Sequence, residues 1–344
     1  MKAAFVKQGG GVELREVARP VLEEGSLIVQ MKASGVCGTD LEKLAGKGIT
    51  STVLGHEVAG IVSESSTSGF DKGDVVIPHH HVSCNSCDLC KAGAGTMCEG
   101  FKASNFKPCG FADQFLVPSY NVTNGGVHKF NSNISFDEAS FAEPLGCCIR
   151  GLRHTGIIGK TLRRALVVGA GPIGLLHMEL IRSYFPDASV FAVDIMQSRL
   201  DFAEKYEGTV PIDASKLREG LFSEMALKST NGQGFDLCIV ATGSSSAFSE
   251  ALKCIRKSGI LLLFGAPHKG AVHALELGRF FLDELSITSS YSTTEIELSE
   301  AIQLLEEERI NVKKFVTGKF PLGRIEEAMA SARLENQIKI IVNG

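Results

Sequence analysis

Residues 163–185, "RRALVVGAGPIGLLHMELIRSYF", decide the fold of this chain. An apolar run typical of a β-strand leads into glycines with the spacing G-x-G-x-x-G, and a pattern typical of a helix follows. A second apolar run, "SVFAVD", ends at Asp194, twenty residues after Gly174. Such glycines let the backbone approach a pyrophosphate at the helix N-terminus, and the acid binds ribose hydroxyls. The stretch therefore predicts a dinucleotide-binding unit.

Four more short apolar runs follow this stretch: "TVPID", "FDLCIVATG", "GILLLFGA" and "ELSITSS". Each has the length and composition of a buried strand. The segments between them, such as "SAFSEALKCIRKSG", have patterns typical of helices. Six parallel strands with helices between them predict an α/β, doubly wound sheet.

Length and composition limit the remaining possibilities. The chain has 344 residues, of which 44% are hydrophobic, and this size favours two domains. No apolar run approaches the roughly 20 residues that a membrane span needs, and the first residues lack the apolar stretch of a signal peptide. The net charge is −4, with no basic block that suits a phosphate backbone. We expect a cytoplasmic protein that binds neither membranes nor nucleic acid.

A cysteine-rich segment, "SCNSCDLCKAGAGTMC" at residues 83–98, holds four of the ten cysteines. In a chain of this length and expected location, clustered cysteines indicate metal ligands rather than disulfides. Four thiolates fill a tetrahedral zinc site and leave no open position, so this zinc ion should be structural. The expected ligands are Cys84, Cys87, Cys90 and Cys98.

A second set of potential ligands lies upstream, in "GVCGTD" at residues 35–40 and "LGHEVAG" at residues 54–60. A lone cysteine or a lone histidine is weak evidence of a metal site. Here Cys37, His56 and Glu57 offer a thiolate, an imidazole and a carboxylate. These are the ligand types from which a zinc site with an open position is assembled.

These motifs, with "AEPLGC" and a C-terminal "IKIIV", occur in an order that resembles the zinc-dependent medium-chain alcohol dehydrogenases, most like the sorbitol and threonine dehydrogenase branch. The resemblance covers the whole chain. It implies a mostly-β, GroES-like catalytic domain interrupted by a Rossmann domain. We expect residues 1–147 in the catalytic domain, with the zinc lobe at about 82–100, residues 148–289 in the NAD-binding domain, and residues 290–344 returning to the first.

The resemblance also implies the catalytic zinc site. Cys37 and His56 resemble its ligands, while Glu57 and Glu143 resemble the carboxylates that serve the zinc directly or through its water. Alcohol dehydrogenase itself uses two cysteines and a histidine. In this chain Glu143 is the expected replacement for the second cysteine.

Several positions near the expected zinc leave alternatives open. Cys147 and Cys148, about one helical turn beyond Glu143, compete with it as ligands. Thr39 resembles the first hydroxyl of the family's proton relay, but Glu42 stands where many relatives carry a histidine. Whether Glu42 takes the proton or the relay follows another route is left open.

Three consecutive histidines, His79–His81, also invite a metal interpretation. Side chains alternate between the two faces of a strand, so consecutive imidazoles on a strand cannot all face one ion. We therefore expect a strand end that leads into the zinc lobe. One imidazole reaching the active site is the alternative.

The acid at Asp194 favours NAD, because a carboxylate there binds the free ribose hydroxyls and repels a 2′-phosphate. Arg199 could neutralise this acid, which keeps NADP as the alternative. The expected cofactor contacts are Gly169, Gly171, Pro172, Ile173, Gly174, Asp194, Arg199, Thr242 and Gly265.

Together these features predict an enzyme with two zinc ions per chain that transfers a hydride from a secondary alcohol of a polyol or sugar-derived substrate to NAD. An L-threonine 3-dehydrogenase, or another small-alcohol dehydrogenase, is the alternative within the family. A zinc-free reductase or a non-catalytic structural or binding relative would lack the catalytic ligands. A zinc-finger-like reader of nucleic acid is disfavoured by the few basic residues in the lobe. We expect a homo-oligomer, either a dimer or a tetramer.

Overall fold

The computed structural model describes residues 1–46, 52–131, 133–205, 208–217 and 221–344. These residues form two compact units, one made of Met1–Gly146 with Ser292–Gly344 and the other of Cys147–Tyr291. None of the described helices combines the length and the apolar character needed to cross a bilayer.

The N-terminal part of the first unit is mostly short strands joined by loops and short helices. Strand β3 is buried along most of its length, because it pairs with a neighbour on each side. The strands are β1 (Lys2–Val6), β2 (Val12–Glu16), β3 (Leu27–Gly35), β4 (Glu57–Ser65), β5 (Val75–Pro78), β6 (Gln114–Val117) and β7 (Val127–Lys129). The helices are α1 (Gly38–Leu44), α2 (Asp88–Lys91), α3 (Glu99–Ala103), α4 (Ser119–Thr123) and α5 (Phe136–Ala139), followed by α6 (Ala142–His154), which begins in this unit and continues into the second unit from Cys147.

The second unit alternates strands and helices. Its strands are β8 (Arg164–Val168), β9 (Ser189–Asp194), β10 (Thr209–Asp213), β11 (Phe235–Val240), β12 (Ile255–Leu263) and β13 (Ser286–Ser289). Its helices are α7 (Pro172–Tyr184), α8 (Gln197–Glu204), α9 (Ser223–Ser229), α10 (Ser245–Cys254) and α11 (Leu277–Leu282).

All the neighbouring strands of this second sheet are parallel, in the order β10-β9-β8-β11-β12-β13. Every residue of β11 is buried, as expected for a central strand covered by helices on both faces. The direction of the strand order reverses between β8 and β11, which is where such sheets bind ligands. The predicted doubly wound sheet, with six strands among the described residues, is confirmed.

One predicted helix boundary is wrong. The segment "SAFSEALKCIRKSG" is helical only as far as Cys254, and Ile255 already begins β12. Ile255 pairs with Phe235, and the register then shifts before Ile260 pairs with Leu237. The extra residues are absorbed in a bend at Ser258, whose φ is +55°. Strand pairing therefore overrides the local helical pattern.

The C-terminal part of the chain belongs to the first unit. Its elements are α12 (Glu295–Glu306), β14 (Val316–Pro321), α13 (Ile325–Ser331) and β15 (Lys339–Asn343). β15 lies between β14 and β3 and pairs antiparallel with β3. The core of this unit, which includes Met31 and Phe115, also contains Ile340 and Val342 from β15. The last strand is thus an integral part of the sheet that carries the candidate metal ligands.

Candidate active site

The four cysteines of the lobe lie together, with their sulfur atoms within 4.8 Å of one another. Helix α2 begins directly after Cys87, and α3 begins directly after Cys98. The Sγ atom of Cys98 accepts hydrogen bonds from the backbone N–H groups of Cys84 (3.4 Å) and Phe101 (3.3 Å). These two hydrogen bonds hold the Cys98 sulfur in position within the lobe. Four thiolates around one point fit a closed, structural zinc ion.

A second group contains Cys37, His56 and Glu57, whose potential ligand atoms also lie within 4.8 Å of one another. Pairing of β3 with β4 sets Gly35 opposite Glu57, and this brings Cys37 beside the start of β4. A Cβ atom at Gly35 would lie only 2.0 Å from Glu57 Oε2. Glycine is therefore required at this position, because any side chain would displace the carboxylate.

Asp40 holds this second group in place from α1. It is fully buried and accepts hydrogen bonds from the backbone N–H groups of Cys37 (3.2 Å) and Gly55 (3.0 Å). Its Oδ1 atom lies 3.7 Å from His56 Nδ1. Burial alone would raise the pKa of Asp40, but the nearby imidazole outweighs burial and lowers it. A carboxylate on the Nδ1 side of the ring leaves the other ring nitrogen of His56 available to a metal.

Lys339 balances the charge of Glu57. Their side chains form an ion pair in which Lys339 is 4% and Glu57 is 1% exposed. Burial alone would lower the pKa of Lys339, but the Glu57 carboxylate and the Cys37 sulfur outweigh burial and raise it. The ammonium group of Lys339 therefore stays charged beside two of the candidate ligands.

The residues of the expected proton relay lie on or beside α1. Thr39 Oγ1 is 2.9 Å from Cys37 Sγ, so its hydroxyl is at the second group. Glu42 lies on the same helix with an exposed side chain. The relay itself stays a prediction.

Glu143 falls in a third group, with His79 and His80, whose ligand atoms lie within 4.8 Å of one another. Of the three consecutive histidines, His79 and His80 both contribute to this group, whereas His81 does not. β5 ends at Pro78, so the alternation of a strand no longer applies to them. His81 Nδ1 instead bonds the Ser104 carbonyl oxygen (2.5 Å). The predicted strand end at these histidines is confirmed.

The third group adjoins the second, because the rings of His80 and His56 have centroids 4.9 Å apart. Burial, with the neighbouring histidines, holds the pKa of His80 well below its usual value. Neither Cys147 nor Cys148 belongs to a group of potential ligands among the described residues. Of the three candidates, Glu143 is the one that belongs to such a group, although this is the group of His79 and His80 and not that of Cys37. Its membership of the catalytic zinc site stays a prediction.

The glycine-rich turn of the second unit has the form that its sequence predicts. Gly169 has a φ of +99°, which favours glycine, and Gly171 caps α7 with Pro172 at the first helical position. A Cβ atom at Gly174 would lie 1.8 Å from the Gly169 carbonyl oxygen. Helix α7, which also carries Ile173, can therefore begin close to the end of β8 only with glycine there.

Asp194 is tied to this turn. Its Oδ2 atom accepts a hydrogen bond from the Ala170 N–H (2.7 Å), and its Oδ1 atom accepts one from the Met196 N–H (2.9 Å). Arg199 Nη1 lies 3.9 Å from Asp194 Oδ2. The acid therefore shapes the turn, a role that the motif alone does not show.

The remaining cofactor candidates follow the central strands. Thr242 lies just after β11, and Gly265 lies just after β12 with its N–H bonded to the Val240 carbonyl oxygen (2.8 Å). A Cβ atom at Gly265 would lie 2.5 Å from the Thr242 backbone nitrogen. All the expected contacts thus lie at the carboxyl ends of neighbouring strands or in the turns and helices that follow, the usual location of a nucleotide site in such a sheet.

A parallel sheet with this turn, and a thiolate–imidazole–carboxylate group, define a metal-dependent dehydrogenase. Two family models match the chain: "Alcohol dehydrogenase GroES-like domain" over residues 23–126 and "Zinc-binding dehydrogenase" over residues 172–307. The chain belongs to the zinc-dependent medium-chain alcohol dehydrogenase family, in the branch of sorbitol and threonine dehydrogenases. The predicted GroES-like and Rossmann domains are confirmed.

Individual relatives span nearly the whole chain. "Probable D-xylulose reductase A" of Aspergillus fumigatus is 28% identical over 328 residues, which cover 92% of this chain and 89% of the relative. "L-threonine 3-dehydrogenase" of Pectobacterium carotovorum is 24% identical over 353 residues, which cover 100% and 99%. A zinc-binding dehydrogenase of Sinorhizobium meliloti, solved with NADP, has a TM-score of 0.88 at 23% identity and covers 100% and 99%. Members of this family are zinc oxidoreductases that act on alcohols.

Proposed function

We propose that this protein oxidises a secondary alcohol group of a polyol or sugar-derived substrate, with NAD as the hydride acceptor. The observation that carries this proposal is the group formed by Cys37, His56 and Glu57. It offers three donors of three kinds, whereas the lobe offers four thiolates. Three protein donors leave a position open for a substrate oxygen, which suits a catalytic rather than a structural zinc ion.

The donor set fits zinc chemically, because thiolate, imidazole and carboxylate are all zinc ligands and the histidine is already oriented. A zinc ion held there would act as a Lewis acid on the alcohol oxygen. Asp40 lies beside the Nδ1 atom of His56, and Lys339 forms a buried ion pair with Glu57. These two residues therefore hold the side chains of the donor set in place.

Proton removal is assigned to Thr39. Its hydroxyl lies 2.9 Å from the Cys37 sulfur and can exchange a proton with an alcohol bound at the same group. Glu42, exposed on the same helix, is the proposed acceptor that delivers the proton to water. Glu143, in the adjoining group, is proposed as a second carboxylate near the substrate.

NAD is proposed from Asp194, at the end of β9. When bound, the cofactor accepts the hydride at its nicotinamide. The carboxylate is only 7% exposed and held by two backbone N–H groups, so it cannot easily move away from a 2′-phosphate. Repulsion between these anions disfavours NADP. The NADP in the Sinorhizobium meliloti protein and the nearby Arg199 make this preference a direct subject for measurement.

The polyol class is supported by the polarity of the candidate site. Carboxylates and imidazoles there can accept hydrogen bonds from neighbouring hydroxyls, and such a site rejects substrates that lack them. The similarity to a D-xylulose reductase agrees with this class. Threonine is the second candidate, favoured by the similarity to an L-threonine 3-dehydrogenase and by a carboxylate that could pair with an amino group.

The test is steady-state reduction of NAD with sorbitol, xylitol, inositol, L-threonine, butane-2,3-diol and ethanol. We expect the best substrate to be a polyol. If threonine or a monoalcohol exceeds every polyol more than about tenfold in kcat/KM, a transition-state difference of about 1.4 kcal/mol, the polyol assignment fails.

A matched pair of variants tests catalysis itself. Cys37→Ser should abolish turnover, whereas Cys109→Ala should keep it, because Cys109 is buried in the same unit but belongs to none of the ligand groups in the part of the chain that the structure describes. A non-catalytic structural or binding relative would reduce no cofactor with any alcohol while fully loaded with zinc. A homo-oligomer, dimer or tetramer, and a cytoplasmic location complete the proposal.

A further inference from the structure

The hydroxyl group of Tyr120, on α4, is a buried polar group without a partner. Its oxygen atom is shielded from solvent and forms no hydrogen bond in the parts of the chain that the structure describes. A buried hydroxyl that stays unpaired is unfavourable, and in native proteins such a group usually serves a function or a bound ion. The surroundings of this hydroxyl therefore indicate what it serves.

The hydroxyl group lies against the cysteine lobe. A Cβ atom at Gly100 would lie 2.0 Å from the Tyr120 hydroxyl oxygen and 3.4 Å from the Cβ atom of Cys84. Burial, followed by the neighbouring Cys98, Cys84 and Cys90, raises the pKa of Tyr120 to about 12. The hydroxyl therefore keeps its proton and is available as a hydrogen-bond donor beside three of the four lobe cysteines.

A second contact attaches α4 to the lobe. The Nδ2 atom of Asn85, directly after Cys84, donates a hydrogen bond to the Asn124 carbonyl oxygen (3.2 Å). The Nδ2 atom of Asn124 in turn donates to the Tyr120 carbonyl oxygen (2.8 Å). These two bonds fix the position of the helix against the loop that carries the cysteines.

Asn121 holds α4 from its other side. It is fully buried, and its Nδ2 atom donates hydrogen bonds to the carbonyl oxygens of His79 (2.9 Å) and His80 (3.0 Å). The Gly126 N–H group donates to the Asn121 carbonyl oxygen (2.8 Å). None of these bonds involves a metal, so they hold Tyr120 in place whether or not the lobe is loaded.

We propose that Tyr120 is a positioning residue of the lobe, and that its hydroxyl donates a hydrogen bond to a zinc-bound thiolate on the side of Cys84 and Cys98. A thiolate that binds zinc keeps lone pairs that can accept such a bond, and partners of this kind strengthen metal binding. The inference is independent of the proposed function, because the metal of the lobe can be measured in a protein that oxidises no alcohol.

The experiment uses the full-length chain with the change Cys37→Ser, which leaves the lobe as the thiolate-bearing ligand group among the described residues. Cobalt(II) replaces zinc, and the sulfur-to-cobalt charge-transfer absorption is compared with and without the further change Tyr120→Phe. Loss of a hydrogen-bond donor raises the energy of the sulfur lone pairs, so we expect the absorption to move to longer wavelength. The affinity of the lobe for zinc, measured by competition with a chelator, should fall about 10- to 100-fold.

Two further variants complete the test. Tyr291→Phe is the matched control, because Tyr291 is exposed and belongs to the other unit. It should change neither the cobalt absorption nor the zinc affinity. Gly100→Ala keeps the tyrosine, but its methyl group would take the place of the hydroxyl. It should move the cobalt absorption in the same direction as Tyr120→Phe.

An unchanged cobalt absorption in Tyr120→Phe overturns the proposal, whatever happens to the melting temperature. Lost packing alone would lower stability without altering the bond between cobalt and sulfur. An equal change in Tyr291→Phe overturns it as well. Circular dichroism shows whether each variant is folded. If Tyr120→Phe is not, Gly100→Ala decides, and an unchanged absorption in that variant overturns the proposal.

Discussion

Lys339, at the start of the last strand, forms an ion pair with Glu57, at the start of β4, and neither side chain is more than 4% exposed. Breaking a buried ion pair by removing one partner leaves an uncompensated charge, which costs about 3–5 kcal/mol. Lys339→Met should therefore lower the free energy of unfolding by about that amount, as measured by urea denaturation.

An exposed ion pair supplies the control for this prediction. Lys7 pairs with Glu326 at 2.8 Å, with both side chains well exposed. Lys7→Met should cost about 1 kcal/mol or less, because solvent screens such pairs. Equal losses of stability in Lys339→Met and Lys7→Met would contradict a structural role for the buried pair.

The two thiolate-bearing groups predict two zinc ions of different character. Cys37→Ser should abolish turnover while the melting temperature stays near that of the unaltered protein. Cys84→Ser should chiefly destabilise the lobe, since structural zinc sites contribute directly to folding. Metal analysis, activity and thermal unfolding separate these effects. One zinc ion per chain in fully active protein would be inconsistent with both groups holding zinc.

Cofactor preference gives a third prediction. We expect kcat/KM for NAD to exceed that for NADP. Asp194→Ala should bring the kcat/KM values for NAD and NADP closer together. The same change should lower the free energy of unfolding, because the carboxylate accepts hydrogen bonds from the Ala170 and Met196 N–H groups. Arg199→Ala should leave the preference for NAD in place or strengthen it. A higher kcat/KM for NADP in the unaltered protein would reverse the assignment.

His177 predicts a pH dependence of stability. It is fully buried in α7, and its Nδ1 atom lies 2.9 Å from the Ile173 carbonyl oxygen. Burial lowers the pKa of His177 to about 4, below the usual histidine value of about 6.5. The unfolded chain therefore binds a proton between these values and the native chain does not. The contribution of His177 to the free energy of unfolding should be fully present above about pH 6.5. It should be lost as the pH falls towards 4, and this loss should be about 3 kcal/mol at most.

The difference between His177→Gln and the unaltered protein isolates this effect from any acid-induced loss of metal. The variant should show a shallower decline of stability between pH 6.5 and 4 in urea denaturation. His268→Gln, on the surface, should keep the original slope. An unchanged slope in His177→Gln would exclude this histidine as a source of the acid sensitivity.

The sequence contains enough local information to predict the nucleotide-binding sheet and the cysteine lobe. Both are encoded by closely spaced residues: the glycines from Gly169 to Gly174, and the four cysteines within sixteen residues. Spacing alone restricts what such residues can form. The wrong helix boundary after Cys254 lies where tertiary pairing with Phe235 outweighs the local pattern.

Contacts between residues that are distant in the sequence could not be predicted from local spacing. Lys339 meets Glu57 because β15 pairs with β3, a partner choice that no local pattern reveals. His79 and His80 come directly after the end of β5 at Pro78, so which way their side chains face depends on the fold and not on the alternation of a strand. A signal for Asp40 was available, since it is a carboxylate three residues after Cys37, although its contact with His56 depends on the fold.

The return of β15 to the first sheet has a consequence for synthesis on the ribosome. The residues of the inserted unit, 147–291, are contiguous, so this unit can fold as soon as they have emerged. The other unit must wait for Lys339–Asn343, which supply both a strand between two neighbours and the countercharge of Glu57. A nascent chain that stalls shortly before these residues would therefore contain a folded Rossmann unit, while the thiols and carboxylates of the other unit are not yet enclosed. Pulse proteolysis of stalled chains would detect this order of maturation.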